Sequence, residues 1–275
     1  MPPSLIDAFV EPLGREPAVL VSVVSTKGSA PREAGAWMGV FTNAIVGTVG
    51  GGHLEFEAIA LARRALAGEA IEPQHRFALG PSLGQCCGGV VHLGFERAGP
   101  GDAAAIRQRL EAEDGARRMP VVLFGGGHVG RAIVQALQPL PVRVHWIDSR
   151  DEVFPDGLPR WVHPEHSAPV QAAVVDLAAH SRVLIMSFSH AEDLDILAAC
   201  LQRQRERADL PFIGLIGSKS KWGSFRHRLE ARGYSEAELA CVTCPIGVAG
   251  VVGKEPEVIA AAVAAQLMQA RAVAG

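Results

Sequence analysis

Pro120-Val-Val-Leu-Phe-Gly125-Gly-Gly-His-Val-Gly130-Arg-Ala-Ile-Val-Gln-Ala-Leu137 decides the fold. The apolar, β-branched run up to Phe124 reads as a buried strand and the glycines break it. Val129 to Leu137 then carries the period of an amphipathic helix that ends before Pro139. Val142 to Ile147 supplies a second strand, closed by Asp148, so the segment is a βαβ unit. The glycines have the spacing G-x-G-x-x-G and lie between strand and helix, where that spacing has a mechanism. Gly125, Gly126, Gly127 and Gly130 let the backbone approach a diphosphate, and the first N–H groups of the helix, with His128 in its opening turn, point at the anion. Asp148 stands where such folds place the carboxylate that receives ribose hydroxyls. It favours NAD over NADP, although Arg150 blurs that preference.

Outward from this unit, Val183 to Phe188 and Pro211 to Ile216 repeat the strand signal, separated by a helix over Asp193 to Arg207. Glu255 to Ala272 reads as a closing helix with Pro256 in its first turn. Strands alternating with helices predict a Rossmann-like parallel sheet domain of the α/β class. Upstream, strands are expected at Ala18 to Ser25, Ala36 to Phe41, Ala44 to Val49, Arg76 to Leu79 and Val90 to Phe95, around a helix over His53 to Leu66. That half is α+β. The charged, helix-forming stretch Arg107 to Arg118 ends at Met119-Pro120, which places the domains at residues 1–116 and 117–275.

A chain of 275 residues with 48% hydrophobic content has material for roughly two cores. A disordered tail is excluded. The 26 Lys+Arg and 29 Asp+Glu leave a net charge of −3 with both signs scattered, so neither a nucleic-acid track nor a polybasic membrane surface is expected. Met1 to Leu20 has charges among prolines rather than the apolar core of a signal peptide, and Val258 to Gly275 is interrupted by Gln266, Gln269 and Arg271. A cytoplasmic chain is expected. Its five cysteines are an odd number, two of them adjacent, which suits reduced thiols rather than a disulfide framework.

Two further glycine junctions run from strand to helix. Gly47-Thr-Val-Gly50-Gly51-Gly52-His53-Leu-Glu55 offers a second anion-friendly helix start, against which Glu55 adds a negative charge. At Gly217-Ser218-Lys219-Ser-Lys221 a capping serine and lysines stand beside open donors. Leu83-Gly84-Gln85-Cys86-Cys87-Gly88-Gly89 places adjacent thiols between glycines, where a soft metal or sulfur centre could reach them, or where one is simply a buried small residue. Cys241-Val-Thr-Cys244 lacks a second ligand pair and reads as incidental. His163-Pro-Glu-His166 reads as an exposed loop. His190 and Asp193 follow a parallel strand, where they either face a substrate or only start a helix.

Taken in order, the motifs resemble those of the XdhC/CoxI family of accessory proteins for xanthine dehydrogenase and related molybdenum hydroxylases. The matching segments are Lys27-Gly-Ser-Ala-Pro-Arg32-Glu-Ala-Gly35-Ala-Trp-Met38, Gly47 to Glu55, Leu83 to Gly89, Phe124 to Arg131, Asp148-Ser-Arg150, Ile213 to Lys219 and Pro245-Ile-Gly247. The family fingerprint usually opens Gly-Ala-Gly-His where this chain has Gly125-Gly-Gly-His128. The resemblance implies a homodimeric chaperone, rather than a turnover enzyme, that binds the molybdenum cofactor. Such a protein shields the cofactor, brings in a cysteine desulfurase to exchange oxo for sulfido, and delivers the product to the molybdenum-binding subunit of apo xanthine dehydrogenase. On that basis Cys86 and Cys87 are expected at the metal, the Gly125–Gly130 loop at the phosphate, and Gln85 and Arg32 beside the pterin. Gly50, Gly51, Gly52, Ser218 and Lys219 are further candidates. The rival reading from the residues is an NAD-dependent oxidoreductase, for which no Tyr/Lys or His/Arg proton-transfer pair stands out. A third is a scaffold that only docks the dehydrogenase.

Overall fold

The computed structural model describes residues 4–79 and 88–272. The chain divides into two compact units, Met1–Ala116 and Arg117–Gly275.

The first unit is built on β1 (Ala18–Lys27), whose alternating side chains serve two cores. Val19, Val21 and Val23 pack with Leu54, Ala58 and Ala62 of α2 (Gly52–Leu66). Ala18 and Leu20 pack with Phe9 and Leu13 of α1 (Leu5–Leu13) and with Ile106 and Leu110 of α3 (Ala103–Arg117). The sheet is antiparallel. With β2 (Trp37–Val40), β3 (Ile45–Gly47), β4 (Gln74–Ala78) and β5 (Val90–Ala98), its order is β3-β2-β1-β5-β4. The α+β reading of this half holds.

Sequence reading missed α1. Its apolar residues Ile6, Phe9, Val10 and Leu13 recur at helical spacing, and Ser4 caps it by accepting from Asp7 N. Pro12 in the last turn hides the helix from a reading that treats proline as punctuation.

The second unit is a six-stranded parallel sheet with helices on both faces. Its strands are β6 (Met119–Phe124), β7 (Val142–Asp148), β8 (Val162–His166), β9 (Arg182–Ile185), β10 (Phe212–Leu215) and β11 (Val242–Thr243). The order β11-β10-β9-β6-β7-β8 runs outward from β6 in both directions, so the topology reverses between β6 and β9. This is the Rossmann strand order, and its crevice lies beyond the carboxyl ends of those two strands.

β6 alternates like β1. Val121 and Leu123 join the core under α4 (His128–Leu137) and α8 (Pro256–Ala272), while Val122 and Phe124 join the core under α5 (His190–Arg207). The remaining helices are α6 (Lys219–Glu230) and the short α7 (Glu236–Leu239).

One loop expectation is corrected. Residues 163–166 belong to β8, which pairs with β7 through His145↔His163 and Ile147↔Glu165. Pro164 is tolerated because this is an edge strand, where a missing N–H leaves no ladder partner wanting. His145 Nε2 lies 2.6 Å from Glu165 Oε2, which ties the edge to its neighbour.

Candidate functional site

In the parallel-sheet unit, packing requires glycine at two positions of the β6–α4 turn. Gly125 sits at φ +123°, and a Cβ there would overlap the Met186 carbonyl oxygen. Gly130 is buried, and a Cβ would overlap Gly125 O. Gly127 differs. It is exposed at φ −71°, and a Cβ on it would meet nothing within 4 Å. The fold therefore does not require glycine at 127, whereas a phosphate lying on the turn would.

No side chain caps α4, so its first N–H groups point outward beside Gly127 and the exposed His128. The loop is pinned from behind. Trp146 Nε1 donates to Gly125 O at 2.9 Å, and Arg131 donates to Gly126 O and, at 2.8 Å, to Val153 O.

Asp148 closes β7 but is not available to a ribose. Its Oδ2 accepts from Gly126 N at 2.6 Å and Arg150 Nη2 at 2.9 Å; its Oδ1 accepts from Arg150 N and Nε, both at 2.9 Å. Four protein donors saturate a carboxylate that is 2% exposed. Arg150 is correspondingly committed, its guanidinium 4.6 Å from the Phe188 ring centroid. The expectation of Asp148 as ribose acceptor is thus replaced by a role inside the loop.

Burial alone would raise the Asp148 pKa, but the bonds from Arg150 and Gly126 outweigh it and hold the carboxyl below its ordinary value of 3.8. A lowered folded pKa gives stability that is complete above the unfolded value and lost as pH falls through the folded one. Acid titration of the wild type should therefore show destabilisation developing below about pH 4 that is flatter in Asp148→Asn, read by urea denaturation at stepped pH.

At the neighbouring strand ends, Asp193 of α5 is buried and paired with Lys221 of α6, Nζ to Oδ2 at 2.5 Å. Lys221 Nζ also donates to Ile216 O at 2.8 Å, and Ser187 donates to Asp193 Oδ1 through N and Oγ. Asp193 thus ties the ends of β9 and β10 together rather than facing a substrate. His190 packs edge-on against Phe225. Ser218 caps α6 by accepting from Lys221 N at 3.2 Å, and Lys219 is exposed beside it.

In the first unit three expected segments do come together. A Cβ on Gly50 would run into the Pro31 ring, with the Arg32 stem 3.6 Å away. A Cβ on Gly89 would meet Ser29 O and Lys27 O, and Leu79 N donates to Gly89 O at 2.8 Å. The exposed Lys27 and Arg32, the Gly50–Gly52 turn and the Gly88–Gly89 pair therefore share one neighbourhood.

The donors of that turn have an occupant from the protein itself. Glu55 Oε2 accepts from Val49 N and Gly51 N at 3.1 Å each and from Thr48 Oγ1. A carboxylate thus sits where the sequence suggested an anion. Gln85, Cys86 and Cys87 lie outside the described residues.

The remaining cysteines are structural or dispersed. Burial pushes the Cys200 thiol up to about 12 despite Arg203 nearby, so it is inert as a nucleophile. Cys241 Sγ donates to Glu238 O at 2.9 Å, and Val242–Thr243 between it and Cys244 is extended. Tyr234, the only tyrosine, donates its hydroxyl to Ala198 O at 2.9 Å. Among the described residues no group of three or more His, Cys, Asp or Glu side chains is placed to hold a metal ion. Among the same residues no helix is long and apolar enough to cross a membrane.

Residues 121–267 match the XdhC Rossmann domain, and residues 14–77 match the XdhC and CoxI family. The chain belongs to the XdhC and CoxI family. It is 26% identical over 259 residues to the uncharacterized protein YqeB of Escherichia coli (strain K12), covering 93% of this chain and 44% of that protein. The chain thus spans less than half the length of that relative. The fold is similar to a crystal structure described as a xanthine dehydrogenase from Bacillus halodurans, with a TM-score of 0.73, 18% identity, and coverage of 99% of this chain and 97% of that one.

Motif reading assigned no role to Phe188 or Glu192, and it read Glu55 only as a charge against an anion and Lys221 only as a lysine beside open donors. Two carried a local signal: Ser189-x-x-Glu192 has capping-box spacing, and Lys221 falls one turn into a helix capped by Ser218. Phe188 reads as the last apolar residue of a strand until the strand is seen to end at Ile185.

Proposed function

We propose that the chain handles the molybdenum cofactor as cargo during maturation of xanthine dehydrogenase or a related molybdenum hydroxylase. It binds the cofactor, shields it, promotes its sulfuration by a cysteine desulfurase and delivers it to the molybdenum-binding subunit of the apoenzyme, acting as a homodimer. Membership of the XdhC and CoxI family supports the maturation role.

The observation that carries the binding role is the neighbourhood of Lys27, Arg32, Gly50 and Gly88–Gly89. Gly89, which follows Cys86 and Cys87 in the sequence, packs against the backbone of Lys27 and Ser29, and Gly50 packs against Pro31 and the Arg32 stem, so the segment that adjoins these glycines carries two exposed cationic residues. Thiols suit a soft metal and cations suit the oxygen-rich, anionic periphery of such a cargo. In the Rossmann unit, taken by itself, the open cradle at Gly127 suits a phosphate group, with the first N–H groups of α4 as donors. Glu55 does not compete there, because it closes only the Gly50–Gly52 turn. An NAD-dependent oxidoreductase finds less support: Asp148 is saturated and the Tyr234 hydroxyl is bonded to Ala198 O.

The test is anaerobic ultrafiltration of the chain with molybdenum cofactor released from a donor enzyme, counting molybdenum and pterin per chain, with NAD as a parallel ligand. Near-stoichiometric retention is expected in the wild type, and at least a tenfold loss in Cys86→Ala/Cys87→Ala. Undiminished retention in the folded double variant would remove the cysteines from the role. Retention of NAD without cofactor would favour the oxidoreductase.

A further inference from the structure

Ser189-x-x-Glu192 opens α5 with the spacing of a capping box, yet Glu192 does not complete one. At α7 the same spacing does: Ser235 N donates to Glu238 Oε2 at 2.8 Å, and Glu238 N donates to Ser235 Oγ. Glu192 N does donate to Ser189 Oγ, but the Glu192 carboxylate reaches instead to the segment after β7, where Ser149 Oγ donates to Oε1 at 2.7 Å. Its Oε2 is buried with no hydrogen-bond partner. A carboxylate has sites for about four donors, and a buried acceptor left unpaired is unfavourable unless something supplies a donor. Asp148 is the opposite case, with four donors on two oxygens.

Position in the sheet gives this oxygen its meaning. The ends of β7 and β9 flank β6, and the Gly125–Gly127 turn lies between them. Ser149 and Arg150 come from the β7 side, Phe188 and Glu192 from the β9 side. Phe188 is a large aromatic ring left 66% exposed, with the Arg150 guanidinium over one face. Around the open cradle at Gly127 the unit therefore collects backbone donors for phosphate, an unsatisfied carboxylate oxygen and a flat apolar face.

We propose that Glu192 receives the ribose hydroxyls of a nucleoside diphosphate whose phosphates lie on the Gly127–Gly130 turn, and that Phe188 is the face on which its base stacks. The inference rests on the reading of Gly127 as a phosphate cradle. On binding, a ribose hydroxyl donates to Glu192, and the base stacks on the exposed part of the Phe188 ring while Arg150 keeps its bonds to Asp148. A ribose carrying a 2′-phosphate is disfavoured, because its charge would meet the Glu192 carboxylate. This chemistry is common to a free dinucleotide and to a pterin cofactor extended by a nucleotide.

The experiment is isothermal titration of the whole chain with ADP, 2′,3′-dideoxy-ADP and pyrophosphate. ADP should bind at least tenfold more tightly than pyrophosphate, and the dideoxy compound about tenfold more weakly than ADP. Glu192→Ala should weaken ADP about tenfold without further weakening the dideoxy compound, and Phe188→Ala should weaken both nucleotides about tenfold. Neither variant should change pyrophosphate binding.

Equal binding of ADP and dideoxy-ADP by the wild type, which needs no variant to fold, would overturn the role of Glu192. Unchanged ADP binding by folded Phe188→Ala would overturn the stacking face. Gly127→Val separates the two levels. It should abolish binding of pyrophosphate and ADP alike; pyrophosphate binding that survives it removes the cradle itself, whereas failure of the nucleotide arms with pyrophosphate binding intact removes only this inference. Retention of NAD identifies a free dinucleotide as the source, and displacement of ADP by anaerobically released nucleotide-extended cofactor identifies the cargo.

Discussion

Valine at Gly130 should destabilise the parallel-sheet unit by about 3 kcal/mol or more, lowering its melting temperature by about 6–12 °C. The added Cβ would overlap Gly125 O, and the Trp146 Nε1 that holds this oxygen lies 3.7 Å from the same point. The obstructing atom is backbone, so no rotamer change relieves it. Gly125 cannot retreat either, because its α-carbon already abuts the Met186 carbonyl. Relief must come from moving α4 off β6, which opens the core shared by Leu123, Ile133 and Leu137. Gly127→Ala is the control, three residues earlier in the same turn. Its Cβ enters open space, so it should cost about 1 kcal/mol or less. Thermal melts followed by circular dichroism would distinguish them, and equal melting temperatures would mean that helix–strand packing at Gly130 is not as tight as described.

Removing Asp193 should have a comparable effect through charge rather than volume. Asp193→Ala leaves the Lys221 ammonium, whose side chain is 11% exposed, without its counter-charge, and leaves Ser187 N and Oγ without their acceptor. Breaking a buried pair from one side typically costs about 3–5 kcal/mol. The double variant Asp193→Ala/Lys221→Met should recover much of that loss, because the uncompensated charge is gone and the methionine stem still covers Phe225. Urea denaturation of the two singles and the double closes the cycle. A single variant within about 1 kcal/mol of wild type would show that water reaches Lys221 and that the ends of β9 and β10 are held by something other than this pair.

Both effects concern residues whose importance differs in legibility. Gly130 is legible from sequence, since the G-x-G-x-x-G spacing assigns its third glycine to helix–strand packing. Lys221 is not. A lysine three residues beyond a serine cap reads as a solvated surface charge, and only the approach of β9 to β10 brings Asp193, 28 positions away in the sequence, to neutralise it.

The same contrast runs through the candidate site. The turn from Gly125 to Gly130 and its place between strand and helix follow from local periodicity, because a strand and a helix each repeat on a short sequence scale. The fate of Asp148 does not, since its spacing is equally compatible with a ribose acceptor and with the clamp that Arg150 and Gly126 form on it. Glu55 carried a warning in its charge. Its capture of Val49 N and Gly51 N depends on how tightly the Gly50–Gly52 turn folds back.

What the sequence by itself determined is the class of each half, the parallel sheet and closing helix of residues 117–275 and the α+β character of the half before them, together with membership of the XdhC and CoxI family. These are properties of residue pattern along the chain, and pattern survives without knowing which strands are neighbours. The tertiary structure decided which polar groups are already satisfied. It saturated Asp148, filled the Gly50–Gly52 turn with Glu55, buried the Lys221–Asp193 pair, left Glu192 Oε2 buried without a partner and left Gly127 open. A hydrogen bond is made or forfeited within a few tenths of an ångström, between groups that strand order rather than sequence distance brings together.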